Sequence, residues 1–200
     1  IGMMKDLLQE KNALYGRFAV TIKLNELNYL DTAKFYPDKT PYDKVAHYAV
    51  FGGSPFVNQA LRPTATLREN IVSTILNPVS AVYLYASQLL LSDYSVKINA
   101  ERIFAVIGNG KKRYSEIEDK LDVKKTGNLA KQMKPLRDLE IISRNYPINK
   151  LNDSKKSTFE INDNLLRFYF TFIYKNASAL QVLGAEAFYD EYVAPTLTDF

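Results

Sequence analysis

The chain has 200 residues, 46% of them apolar, enough for one or two small domains with real cores. It has no cysteine and a single histidine, His47, which excludes disulfides, thiolate metal sites, a histidine-based triad and a multi-histidine metal centre. The net charge of +4 is unevenly spread: residues 101–156 carry 14 Lys/Arg against 8 Asp/Glu, and residues 157–200 carry 2 against 6, so a basic middle suited to a polyanion precedes an acidic segment suited to protein or solvent.

No apolar run approaches the roughly 20 residues needed to cross a bilayer, and Ile1 to Asp6 lack the charged and apolar regions of a signal peptide. A cytoplasmic location is expected, and a start without Met suggests a piece of something longer. Ile1, Met4, Leu7 and Leu8 fall at helical spacing and predict a short amphipathic helix. Phe18, Val20, Ile22 and Leu24 then alternate with Ala19, Thr21, Lys23 and Asn25, the pattern of a strand with one buried face. No hairpin partner follows it, so it needs a sheet from elsewhere.

Residues 28–98 read as a bundle of short helices. Asn28 caps a helix that Pro37 ends, and Thr40-Pro41 opens one that ends at Gly52. Ser54-Pro55 repeats that start, Thr66 with Glu69 forms a capping box for a run to Leu76, and Val82 to Leu91 makes a further apolar helix. From Asn99 the order changes. A helix carrying Ile103, Phe104 and Ile107 ends at Gly108, and Ser115 with Glu118 predicts a capping box on a second helix. A third, beginning near Thr126, carries Leu129, Met133 and Leu136 on one face, with Pro135 expected to kink or shorten it. Ile141–Arg144 and Thr158–Ile161 read as two strands flanking a polar loop. Three helices followed by a ribbon is the order of a winged helix-turn-helix. Asp163 then opens a helix dense in aromatics, Phe168 to Tyr174, read as buried packing rather than a base-stacking platform. A last helical stretch covers residues 185–193.

Four segments taken in order, Leu14-Tyr15-Gly16-Arg17, Tyr48 to Pro55, Leu139 to Arg144 with Pro147, and Phe159 to Asp163 leading to Leu166-Arg167-Phe168, carry a resemblance over nearly the whole chain. Together they resemble a prokaryotic, archaeal-type family of AAA ATPases related to the signal-transducing (STAND) NTPases. The resemblance implies a mainly α fold: a helical AAA-type lid bundle plus a winged helix-turn-helix with a small two-stranded wing. It divides the chain into the end of an ATPase core (1–27), the lid (28–98), the winged unit (99–161) and linker helices toward a C-terminal endonuclease-like domain (162–200). It also implies ATP and Mg for the full-length protein. The chain itself has no G-x-x-x-x-G-K-S/T loop to cradle phosphates, so alone it should not hydrolyse ATP. Its partners would be the ATPase core and the C-terminal domain, with double-stranded DNA and a second copy of the chain as further candidates, and no membrane.

Arg17 is the one candidate for a catalytic role, either as an arginine finger reaching a γ-phosphate or in a salt bridge to the core. The resemblance makes Gly53 and Pro55 nucleotide-contacting residues, with the proline against the adenine; capping one helix and starting the next is what they would do in any case. Lys124, Lys125, Asn128, Lys131 and Gln132 share the face opposite Leu129 and Met133, and Lys150, Lys155 and Lys156 lie in the wing, a set suited to phosphates and adenine edges. Glu116, Glu118 and Asp119 bring acid near that face, and winged helices also serve protein contacts. No metal site is expected, and His47 is expected to make a polar contact at the lid surface. The rival to the ATPase reading is a stand-alone winged-helix transcriptional regulator whose first hundred residues dimerise.

Overall fold

A computed structural model describes residues 10, 17, 19, 20, 22–92, 100–123, 128–149 and 153–200, the side chains of 88–92 excepted. The predicted first helix up to residue 9, Asn99, the expected helix start near Thr126, and Lys124, Lys125 and Lys150 lie outside these residues. The fold is mainly α with one small antiparallel sheet.

Helix-start chemistry decides the first half. The Asn28 side chain accepts the Asp31 N–H at 3.0 Å and opens α1, Tyr29–Thr32, which tightens into a 3-10 turn before Pro37. Thr40 accepts the Asp43 N–H at 3.2 Å to open α2, Pro41–Phe51. That helix stops at Gly52, whose φ of 68° is strained for any residue with a Cβ. Pro55 starts α3, Pro55–Ala60, but the Ser54 side chain makes no cap bond. The Thr66–Glu69 capping box forms in full at the head of α4, Leu67–Ser73, which ends short of Leu76. An apolar helix, α5, spans Ala81–Ser92.

The winged unit begins with α6, Ala100–Ile107, followed by a two-residue strand, β1, Lys112–Arg113, and by α7, Tyr114–Leu121. The capping pair expected at Ser115 and Glu118 is corrected to a pair two residues earlier: Arg113 stands at the cap and its N–H donates to Glu116 at 2.6 Å. Pairing of β1 with the wing fixes where that helix can start. After the left-handed turn at Asp122 comes α8, Asn128–Asp138, which runs on through Pro135 and buries Leu129, Met133 and Leu136. The strands β2, Ile142–Asn145, and β3, Thr158–Ile161, complete a sheet in the order β1-β3-β2, with Ile142 opposite Ile161 and Lys112 opposite Phe159. The wing thus has three strands, because the loop after α6 adds its own edge.

The closing segment comprises α9, Asn164–Phe168, continued by a wider π-type turn over Tyr169–Ile173, and α10, Ala177–Phe188, continued over Tyr189–Val193. It divides its side chains between two cores. Leu165, Phe168, Phe172, Ile173, Leu180 and Phe188 join the core of the first bundle. Leu166 and Phe170 join that of the winged unit. A helix apolar on more than one face is what two flanking cores require.

Two expectations change. Residues 20 and 22–24 pair with no described strand, and Val20, Ile22 and Leu24 are 73%, 75% and 90% exposed. His47 is not at the surface; it is 1% exposed, between Tyr36 and Phe51.

Candidate ligand junction and nucleic-acid face

Three parts of the chain meet at the Gly52–Pro55 turn. The Leu27 N–H donates to the Gly53 carbonyl at 3.0 Å, and a Cβ on Gly53 would stand 1.8 Å from the Leu27 carbonyl oxygen. Only glycine allows that approach. The Glu26 carboxylate accepts the Gly53 N–H. Beneath the turn, buried Asn58 donates to the carbonyls of Gly52 (3.0 Å) and Ser54 (2.8 Å), and accepts from the Tyr36 hydroxyl at 2.6 Å. Above it, Asn164 donates to the Tyr48 carbonyl at 2.9 Å, and Asp163 caps α9 by accepting the Leu166 N–H at 2.7 Å. Residues 26–27, the first bundle and the segment leaving the wing are therefore joined within a few residues.

The electrostatics of the turn are acidic. Burial pushes the Asp163 carboxyl above its ordinary range, against the pull of the Leu166 and Leu165 N–H groups. Partial desolvation raises Glu26, the charge of Asp163 raises it further, and the Gly53 N–H draws it back. Burial also raises the Tyr85 phenol, which bonds to Ser54. Gly53 is buried, Pro55 is exposed, and Phe56 is half exposed with its ring 5.2 Å from that of Tyr85. Such a face offers a flat apolar ledge and hydrogen-bond acceptors. Its carboxylates disfavour free anions at the turn. Arg17 is exposed and forms no ion pair with another described residue.

The winged unit presents a second surface. Asn128 and Lys131 are exposed on α8 and Gln132 is half-buried, all away from the buried Leu129, Met133 and Leu136. Lys155 and Lys156 are exposed in the wing turn, where their N–H groups bond to Asp153 at 3.1 and 3.2 Å. The Tyr114 hydroxyl accepts the Ala130 N–H, which fixes α7 against α8. Arg144 was not among the residues the sequence singled out for this face. Its Nε donates to Ser157 Oγ at 2.8 Å, its Nη2 donates to the Ser154 carbonyl at 3.1 Å, and its guanidinium lies 5.0 Å from the Tyr146 ring centre and 5.6 Å from that of Phe159. A signal did exist. Period-two alternation puts Arg144 on the face of buried Ile142, where a cation needs partners.

No family model matches the chain, and no solved structure matches it. Among curated proteins it is similar to uncharacterized protein MJECL04 of Methanocaldococcus jannaschii, with 26% identity over 183 residues, covering 90% of this chain and 41% of that protein. The chain thus spans about two fifths of the length of this relative.

Proposed function

We propose that the chain is the non-catalytic lid and winged-helix portion of a cytoplasmic AAA-type ATP-binding protein, and that it couples nucleotide state to binding of double-stranded DNA or a protein partner. The junction at Gly53 carries this reading. A nucleotide held by an ATPase core would meet Pro55 with its base, at the point where the segment ending at Leu27 and the cap of α9 at Asp163 converge. Displacing either neighbour there shifts the segment that leaves the wing, which is how a small change at a turn reaches a distant surface. The exposed alternation of Val20, Ile22 and Leu24 supports the same reading, since such a strand gains a buried face only by adding to a sheet. ATP and Mg belong to the full-length protein, and Arg17 stands near enough in sequence to this strand to serve the same site.

The reading is tested in the full-length protein by calorimetry. Pro55→Ala is expected to weaken ATP binding about tenfold, with the fold intact by circular dichroism. Unchanged affinity would leave Pro55 only the task of starting α3. On the winged side, duplex affinity should fall steeply between low and moderate salt, as phosphate-led binding requires. Native protein that is no larger than this chain would favour the stand-alone regulator.

A further inference from the structure

A cleft of about 400 Å³ opens between the start of α7 and the wing, lined by Tyr114, Ser115, Arg144, Ser154 and Lys155. Its lining holds two cations and no carboxylate. Arg144 is held unusually firmly for a surface cation. Ser157 and Ser154 take its Nε and Nη2, the rings of Tyr146 and Phe159 flank its plane, and Nη1 has no protein partner among the described residues. A guanidinium fixed this way has already lost the rotamer freedom that an exposed lysine must give up on binding. Ser115 adds an exposed hydroxyl and Tyr114 a phenol edge. Three carboxylates stand around the cleft: Asp153 accepts the N–H groups of Lys155 and Lys156, Glu116 accepts that of Arg113, and the charge of Glu118 acts on the Tyr114 phenol.

We propose that this cleft seats one backbone phosphate of a nucleic-acid duplex, with Arg144 as the anchoring donor and Ser115 and Lys155 completing the seat. The assignment rests on the duplex-binding reading given above and adds to it a specific position. Exposed Asn128 and Lys131 on α8 and the wing lysines would then spread along the groove from a fixed phosphate, which sets the register of the protein on the duplex without reading sequence.

The test is a fluorescence-anisotropy titration of a fluorescent duplex across a salt series. Arg144→Ala is expected to weaken binding at least tenfold and to lower the salt slope by about one phosphate equivalent. Because Arg144→Ala also removes the contacts to Ser154 and Ser157 that hold the wing, Ser115→Asp is the second variant. An acid in the first turn of a helix is favourable to folding, yet it places a negative charge in the seat, and it is expected to weaken binding by a similar factor. Wild-type binding that survives Ser115→Asp unchanged overturns the seat while leaving duplex binding elsewhere on the face. Absence of wild-type duplex binding removes the parent reading and this assignment together. Tight binding of an acidic phosphopeptide in place of duplex overturns the assignment to nucleic acid.

Discussion

His47 shows how a single residue's surroundings set its charge. Its Nδ1 donates to the Asp43 carbonyl at 2.7 Å, and its Nε2 accepts from the Asn70 amide at 3.2 Å, with the Tyr36 ring centre 5.0 Å away. Burial pulls the imidazole below its usual 6.5, more strongly than the Asp43 carbonyl raises it, and the charge of Lys39 adds to the fall. In the unfolded chain the ring titrates near 6.5, so just below that pH the unfolded state binds more protons than the folded one. His47 therefore contributes its full stability above about pH 6.5, and the contribution is lost as pH falls. With one histidine in the chain, its ring proton resonances are unambiguous. They are expected to titrate below 6.5, and the melting temperature to fall as pH drops from 6.5 toward 5. A midpoint at or above 6.5 would mean that the ring is hydrated. The burial was legible in outline, since His47, Val50 and Phe51 follow a three-four spacing on α2. The polar side chain concealed it, because the sequence did not reveal that Asn70, from α4, would meet the second ring nitrogen.

At the scale of elements, the chain's local chemistry marked helix starts well and helix partners poorly. Asn28, Thr40, Thr66 and Asp163 all cap the helices expected of them, because an N-cap needs only a side chain and the next turn of backbone. The start of α7 moved from Ser115 to Arg113 because β1 pairs with β3, a contact between residues far apart in the chain. Gly53 was visible as a turn residue, whereas its approach to Leu27 depended on how the segment before α1 lies against it. Asp163 joins these levels, being both the cap of α9 and a part-buried carboxylate whose charge acts on Glu26. Asp163→Ala removes the cap acceptor and should cost about 1 kcal/mol. Asp163→Asn keeps the acceptor and removes the charge. Since the folded Asp163 has its pKa raised above the ordinary 3.8, its ionised form is disfavoured in the fold at neutral pH. The Asn variant should therefore be no less stable than wild type at pH 7, with any advantage shrinking as acid protonates the wild-type carboxyl. Urea denaturation at pH 7 and pH 4 checks both. An Asn variant as unstable as the Ala variant would show that the charge itself holds the junction.

Across the whole molecule, the aromatic segment after Asp163 packs into both cores. The rings of Phe168 and Phe172 pack at a tilt within the first core, 4.7 Å apart, while Phe170 meets Phe104 of α6 at 5.2 Å in the winged core. Gly108 ends α6 where a Cβ would stand 2.7 Å from the Phe170 Cβ, and Thr171 donates to the Gly108 carbonyl at 2.6 Å. Tyr174 adds a hydrogen bond to Glu101 at 3.2 Å. The same backbone thus serves both cores, and a winged unit that moved as a free domain would have to break this wall. Phe170→Ala is expected to cost about 3–5 kcal/mol, the usual range for a buried Phe in a packed core. Because α9 is shared, the loss should reach both cores. Hydrogen exchange should show protection falling together in α2, on the first-core side, and in α6, on the winged side, with unfolding in a single transition. Protection lost in α6 while α2 remains unchanged would mean that the two units unfold separately. Coupling between the Gly53 junction and the winged face would then have to pass through the Asp163 and Asn164 contacts alone.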